Sequence, residues 1–164
     1  MSIMMYHTRT PFGLNSWDST SDRQNLDLAT DAKAVECLDE IDKKIVDMLL
    51  HRCDEIFGKA LTREQIVDRM KPSVTQKGDY PSYVRTKCNT AGSRQVRTWD
   101  LENQPCGMLS DLRGCTLTAS IHAKSLWFMG SAFGVVFECT DLQVEQNVAV
   151  CPFERSDSAS LSPP

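Results

Sequence analysis

The sequence predicts an α+β domain, a small and strongly bent antiparallel β-barrel or half-barrel with a packed amphipathic helix and a second short helix. Three observations predict this class. Apolar residues recur every three or four positions over residues 34–57, a helix-capping pattern occupies residues 62–65, and apolar and polar residues alternate from residue 117. We expect residues 30–151 to form this single domain.

Residues 1–29 are expected to lie ahead of the domain as an extended segment and a loop. The sequence TPFG at residues 10–13 is a turn signal, and a stretch rich in Ser, Asp and Asn follows it to residue 25. The alternation of Leu26, Asp27 and Leu28 is compatible with a short strand at the end of this segment.

Two helices are predicted next. The first covers residues 34–57, is capped by Thr30 or Asp31, and stops at Gly58, with its apolar stripe packed on the core and its acidic face in water. The second follows Thr62, which has the capping-box spacing to Gln65, and runs through residue 70 until the proline at residue 72 ends it.

Residues 83–89 predict a strand with a basic face. Val84, Thr86 and Cys88 alternate there with Arg85 and Lys87. A turn at residues 91–93 separates this strand from a second candidate at residues 94–101, and residues 102–114 are predicted to be loop. Residues 152–164 are predicted to be a disordered tail.

Residues 117–148 predict two paired strands joined by a short turn. Positions 117, 119, 121 and 123 form an apolar face, and the positions between them form a polar one. Gly134 in the second strand predicts a bulge or a close backbone approach. Phe128 is predicted to be buried, whereas the burial of Trp127, on the opposite face, is left open.

Charge is distributed unevenly, although the net charge is −4. Residues 18–55 hold eleven acidic and five basic side chains, whereas residues 59–97 hold three acidic and nine basic ones. The local excess of six positive charges favours a polyanionic ligand, provided that folding collects these charges on one face. A solvated basic face without a ligand explains the charge pattern equally well.

Few residues favour catalysis or metal binding. The seven cysteines include no C-x-x-C pair, which predicts reduced and mostly buried thiols without a zinc site. The three histidines lack metal-ligand spacing, and no common catalytic or phosphate-binding motif occurs. His122 and Cys139 are the one pair considered for a thiol enzyme. We predict no enzymatic activity, no cofactor and no metal.

Single-stranded nucleic acid is bound by aromatic rings that stack on bases and by cations that contact phosphates. The candidate strands carry both residue types, and a small barrel places such strands side by side. The residues of these types are Arg85, Lys87, Arg94, Arg97, Trp99, Lys124 and Trp127.

Five fragments of the chain are informative together: TPFGLNSW, CLDEIDKKIVDMLL, EIFGKALTREQIVDRMKPSV, YPSYVRTK and SLWFMGSAFGVVFECTDLQV. In order and spacing they resemble the OB-fold-like single-stranded-DNA-binding proteins of large DNA viruses of algae and protists, which are distantly similar to the phage replication type. The resemblance spans residues 10–144. It implies a five-stranded barrel with an inserted helix that binds unwound DNA in a basic, aromatic groove, without sequence specificity or catalysis. It also implies that Tyr83, Arg85, Lys87 and Trp127 contact the DNA.

Two departures from the family pattern lead to further expectations. Family members carry more chain before the TPFG element, so the first strand is expected to be short or missing, with incomplete closure of the barrel. Phage-type relatives recruit replication partners through an acidic tail with a terminal aromatic residue. The segment ERSDSASLSPP has few acidic residues and no aromatic one, so recruitment through this tail is not expected.

We therefore predict non-specific binding of single-stranded DNA in replication or repair. The N-terminus lacks the pattern of a secretory signal and no apolar run is long enough to span a membrane, so we expect an intracellular protein, in nucleus or cytoplasm, without a membrane partner. Replication proteins and a second copy of the chain are further candidate partners. The alternative function is a protein-interaction or assembly module that pairs through a sheet edge and does not bind nucleic acid.

Overall fold

A computed structural model describes residues 1–18, 20–107 and 111–146. These residues form eight strands and three helices, in the order β1 (Ser2–Arg9), β2 (Leu14–Asn15), β3 (Arg23–Ala29), α1 (Ala32–His51), α2 (Cys53–Phe57), α3 (Arg63–Arg69), β4 (Val74–Thr75), β5 (Tyr83–Asn89), β6 (Arg97–Trp99), β7 (Thr116–Met129) and β8 (Ala132–Gln146). The predicted α+β class is confirmed. The predicted tail at residues 152–164 lies outside the described residues.

All eight of these strands belong to one bent sheet. Its hydrogen-bonded order is β1-β7-β8-β5-β3-β2, with β4 paired to β5 and β6 paired to β8. Most pairs are antiparallel, but β5 and β6 run parallel to β8. The long β7–β8 hairpin contains three register shifts, which bend and twist a strand pair. The bend brings β1 to β3, where the hydroxyl of Thr8 donates to the carbonyl of Ala29 at 2.6 Å.

The first 29 residues contribute three strands to this sheet. β1 pairs with β7, and β3 pairs with β5 along its whole length. The expectation of a short or missing first strand is wrong, because β1 has eight residues and buries Met5 and Thr8 beneath the sheet. The short strand proposed at Leu26 to Leu28 is confirmed as the centre of β3.

The helix boundaries follow the local signals. The carboxylate of Asp31 accepts a hydrogen bond from the backbone N–H of Ala34 and caps α1. The predicted single helix is interrupted at Arg52 and ends at Gly58, which adopts the left-handed conformation that glycine tolerates best. The capping box predicted at the start of α3 is present. Within the described ranges, no helix is long and apolar enough to cross a membrane.

The core lies between α1 and the inward face of the sheet. Leu117, Ala119 and Ile121 of β7 are buried there, as the alternation predicts. A second cluster joins the end of α1, α3 and the β7–β8 hairpin, with Leu49 and Phe133 at its centre. Helices therefore cover the inward face, which leaves the outward face of the sheet for the polar side chains.

Candidate nucleic-acid interface

The outward face of the sheet collects most of the predicted binding residues. Side chains alternate between the two faces of a strand, and Phe137, Cys139 and Leu142 of β8 point into the core. Neighbouring positions along β8 therefore face outward. The cross-strand partners at these outward positions are Lys87 with Glu138, Arg97 with Asp141, Trp99 with Gln143 and Trp127 with Gly134.

A cleft of about 260 Å³ opens on this face between β4, β5 and the β7–β8 hairpin. We call it the basic cleft. Its lining residues are Lys71, Pro72, Ser73, Thr75, Arg85, Lys87, Trp127, Val135, Val136 and Phe137. The charged members, Lys71, Arg85 and Lys87, are all cations. The cleft thus joins positive charge to one large aromatic ring.

Trp127 meets β8 by one edge of its indole. A Cβ atom at position 134 would lie 2.6 to 2.8 Å from Nε1, Cε2 and Cζ2 of this ring, so the ring occupies space that only glycine leaves free. The sequence predicts a bulge or a close backbone approach at Gly134. The structure places the Trp127 side chain there, while the register shifts of the hairpin lie elsewhere.

Arg85 and Lys87 differ in the partners that β3 provides. Arg85 donates two hydrogen bonds of 2.8 Å to Asp27, a carboxylate that is 1% exposed, while the guanidinium remains half exposed. Lys87 donates to the neutral amide oxygen of Asn25 at 2.6 Å. Desolvation lowers the pKa of Lys87, and the charges of Arg23 and Arg85 lower it further. A bound anion would therefore stabilise the charged form of Lys87.

A second group, the Asp141 cluster, consists of Arg97, Trp99 and Asp141. Nε and Nη2 of Arg97 lie 2.8 and 2.9 Å from the two carboxylate oxygens, and Nε1 of Trp99 donates at 3.0 Å. Burial raises the pKa of Asp141, but hydrogen bonds from Arg97, Trp99 and Thr140 outweigh it and hold this pKa below its usual value. One carboxylate therefore engages both the cation and the indole N–H.

Lys124 pairs with Glu138, a buried carboxylate that also accepts a hydrogen bond from the amide of Asn89 at 3.1 Å. Desolvation lowers the pKa of Lys124, and the positive charges of Arg94 and Arg23 add to this effect. Arg94 lies in the turn before β6 rather than in the strand predicted from residue 94. Its exposed charge nonetheless acts at the same part of the face.

Two aromatic residues differ from the sequence expectations, and a third, Trp17, is more exposed than its loop position alone indicates. Tyr83 is 5% exposed, so its ring has no open side for a base, although Arg85 lies 6.0 Å from its centroid. The prediction that Phe128 is buried is wrong, because it is 50% exposed near the hairpin tip, where inner rings cover it on one side. Trp17, placed only in a loop by the sequence, is fully exposed between β2 and β3.

His122 and Cys139 do not form a catalytic pair. Cys139 faces the core beside Cys88 of β5, whereas His122 lies on the outward face, 3.2 Å from the hydroxyl of Ser2. Four of the six cysteines within the described ranges are buried. Among the same residues, no cluster of three metal-ligating side chains occurs.

Residues 17–155 match the sequence model of a family described as "Family of unknown function (DUF5871)". The chain belongs to this family. None of the curated proteins matches its sequence.

Solved structures of two phage proteins share the fold of this family member. The single-stranded DNA-binding protein gp2.5 encoded by bacteriophage T7 aligns with a TM-score of 0.57 at 10% identity, over 95% of this chain and 97% of that chain. The single-stranded DNA-binding protein from bacteriophage Enc34, in complex with ssDNA, aligns with a TM-score of 0.56 at 7% identity, over 89% of this chain and 86% of that chain.

The likeness to these phage proteins confirms the expected OB-like fold and, at that level, the resemblance to the phage replication type. Identities this low show the fold alone. The closer relation to proteins of algal and protist viruses stays a prediction.

Sequence reasoning missed two cations at this interface. Lys71 reaches the basic cleft because its backbone N–H donates to the carbonyl of Phe133 at 2.8 Å and ties the segment after α3 to the hairpin. Arg23, at the start of β3, acts electrostatically on both Lys87 and Lys124. Arg23 lies in residues 18–55, whose net charge is negative, so the charge pattern does not point to it. Lys71 lies in residues 59–97, whose net charge is positive, so the charge pattern could have identified it.

Proposed function

We propose that this chain binds single-stranded DNA without sequence specificity through the outward face of its sheet, with the basic cleft as the principal contact. The observation that carries the proposal is the convergence of Lys71, Arg85 and Lys87 with Trp127 around one cleft of about 260 Å³. An unpaired strand needs both kinds of group, since cations contact its phosphates and an aromatic ring stacks on a base.

Each contact has a distinct role in this proposal. Lys71 and Lys87 neutralise phosphates, because neither is bonded to a carboxylate in the contacts described above. Trp127 stacks on a base, and the fully exposed Trp17 is a candidate for a second stack. Phosphate contacts and stacking do not read base edges, so binding without sequence preference follows. The role is that of a non-catalytic binder in replication or repair inside the cell.

The shared fold supports the proposal at a coarser level. The Enc34 protein is solved in complex with ssDNA, and 89% of this chain aligns with that structure. The proposed cleft rests on the residues of this chain, since 7% identity transfers no individual contact.

The test compares Lys87→Gln with a matched control, Arg97→Gln. Both changes remove one positive charge from the same face, but the charge of Arg97 is already bound by Asp141. Anisotropy titrations of a labelled oligo-dT at several salt concentrations give the affinity and its salt dependence. We expect Lys87→Gln to weaken binding and to reduce the salt slope by about 0.7, the value for one phosphate contact on a single strand.

Arg97→Gln is expected to leave the affinity for oligo-dT within about twofold of the wild type. The reason is that the guanidinium of Arg97 is already paired with the carboxylate of Asp141. Absence of binding by the wild type at low salt would show that the proposed function is wrong. Equal effects of the two substitutions would show that the strand does not follow the basic cleft.

The alternative function, pairing with another chain through a sheet edge, would use an edge strand such as β1. β1 ends the hydrogen-bonded order, but its register shifts between Met5 and Thr8, and His7 there has a φ of +49°. Irregularities of this kind disfavour edge-to-edge pairing. A stable oligomer in light scattering, unaffected by oligo-dT, would favour this alternative over DNA binding.

A further inference from the structure

We propose a second nucleic-acid site on the opposite side of the β7–β8 hairpin, where Phe128 stacks on a base and Lys59 and Arg69 contact phosphates. The occupant is the same single strand, continuing from the basic cleft across the open edge of β7. This inference rests on the proposed function, because it extends the path of that ligand.

The ring of Phe128 is held firmly and open on one side. Its centroid lies 6.1 Å from that of Phe57 and 5.9 Å from that of Phe133, and Phe57 and Phe133 are themselves 6.2 Å apart. Phe133 is fully buried, whereas Phe128 is 50% exposed. Two inner rings thus fix the orientation of a third, and a preorganised exposed ring is a suitable stacking surface for a base.

The surroundings of Phe128 are positively charged. A cavity of about 710 Å³ is lined by Ile56, Phe57, Lys59, Arg69 and Phe128, together with the turn at residues 130–131. Both charged lining residues are cations, and the guanidinium of Arg69 lies 5.6 Å above the ring of Phe57. Apolar rings bordered by positive charge complement a nucleotide, which presents an apolar base face and a phosphate.

The two sites are neighbours along one strand. Trp127 and Phe128 are adjacent residues, so their side chains lie on opposite faces of β7. β1 pairs with β7 only as far as His122, with one further bond to Ala123, so in the described part of the chain the β7 edge beyond it has no strand partner. At the other edge of the hairpin, Met70 bridges to Phe133 and obstructs the path.

The lengths of the two sites define the probes. Four positions of β8 separate the partners of Trp127 and Lys87, which are Gly134 and Glu138, and this is about 13 Å at roughly 3.3 Å per residue. At about 3.4 Å per stacked nucleotide, roughly four nucleotides would span this distance. Crossing the hairpin adds about 10 Å, one sheet spacing, or roughly three nucleotides more. An oligonucleotide of four residues therefore fills the basic cleft, and one of eight residues also reaches Phe128.

The experiment measures the affinity of the full chain for labelled dT4, dT8 and dT12 at low salt. We expect the wild type to bind dT8 more tightly than dT4. Phe128→Ala should weaken dT8 binding by about tenfold, the fold-change for one lost stack, and leave dT4 unchanged. Phe128→Trp should retain the dT8 affinity. Met129→Ala, which changes a 74% exposed residue of the same hairpin, is the matched control and should bind all lengths as the wild type does.

A second variant tests the same site without removing the ring of Phe128, in case Phe128→Ala does not fold. The double change Lys59→Gln and Arg69→Gln leaves the ring in place and should reduce the salt slope for dT8 but not for dT4. Melting curves of each variant, compared with the wild type, show whether the fold is retained.

The outcomes separate this inference from the proposed function. Equal affinity for dT4 and dT8, or an unchanged dT8 affinity in Phe128→Ala, overturns the second site while DNA binding in the cleft stands. Failure of the wild type to bind any length overturns the proposed function and, with it, this inference. A change of molar mass in Phe128→Ala with unchanged dT8 affinity assigns the face to a second copy of the chain and also overturns the inference.

Discussion

The basic cleft and the Asp141 cluster lie on the same outward face, and each joins a tryptophan to positive charge, from three side chains in the cleft and from Arg97 alone in the cluster. In the cleft, Lys87 is bonded to a neutral amide, and Trp127 rests by one edge on Gly134. In the cluster, a single carboxylate binds both Arg97 and Trp99. The same residue types therefore have different availability for a ligand.

The difference shows that the partner of a cation matters as much as the cation itself. An exposed ion pair stabilises a fold by only about 0 to 1 kcal/mol, but it occupies the donors and cancels the charge that a phosphate would use. A neutral partner orients a lysine and leaves its charge. On this basis, the cleft is the principal contact and the Asp141 cluster is secondary.

The largest expected difference concerns the two indoles. Trp127→Ala should lower the affinity for oligo-dT by about tenfold, because one stacked base contributes about 1 to 3 kcal/mol. Trp99→Ala should change it by less than about twofold, because the indole N–H is already bound by a carboxylate and no stack is proposed there. Anisotropy titrations of both variants, with melting curves to show that they fold, check this contrast. Equal losses would remove the distinction between the two regions.

The support of Trp127 by Gly134 allows a test of intermediate size. Gly134→Ala would place a Cβ within 2.8 Å of the indole, so the ring must move. We expect the free energy of unfolding to fall by about 1 to 2 kcal/mol, as for other overpacked sites, with weaker binding of oligo-dT.

Gly107→Ala is the control for this substitution, because, apart from the neighbours of Gly107 in the chain, no atom of the described residues lies within 4 Å of a Cβ at position 107. Urea unfolding of both variants measures the difference. A Gly134→Ala protein with wild-type stability and wild-type affinity would show that the position of the indole against β8 is unimportant.

The smallest expected effect is an increase in the affinity for oligo-dT. Asp141→Asn removes the charge that binds Arg97 and so frees a cation at the edge of the face. The affinity for oligo-dT should rise by about two- to threefold, and the salt slope should steepen by about 0.7. Titration at two salt concentrations checks this prediction, and an unchanged slope would mean that the strand does not reach β6.

The same variant should change the acid dependence of stability. The pKa of Asp141 lies below its usual value of 3.8 in the fold, so its contribution is present above that pH and is lost as pH falls through the lowered pKa. The difference in unfolding free energy between wild type and Asp141→Asn should therefore shrink below about pH 3.8.

Local rules predicted most of the elements. Asp31 caps α1, Thr62 and Gln65 form their capping box, and the bounds of β5 agree with the alternating run at residues 83–89. These signals succeed because the interacting groups lie within a few residues of one another. The break of the long helix at Arg52 has no comparable signal in the sequence.

Local rules could not predict which carboxylate pairs with each cation. Asp27 and Arg85 are separated by 58 residues, and Asp141 and Arg97 by 44. Their pairing depends on strand order and register, including the parallel pairing of β6 with β8. A list of basic and aromatic residues therefore identifies a face but does not rank its members.

The sequence by itself determined that Arg85 and Lys87 share one face of a strand, and that Leu117 and Ile121 share the buried face of another, because side-chain direction alternates with a period of two. Tertiary structure alone decided which cations keep an uncompensated charge and that Phe128 is exposed. The physical reason is that electrostatic neighbours and burial depend on which distant strands and helices pack against a residue, whereas alternation depends only on its own strand.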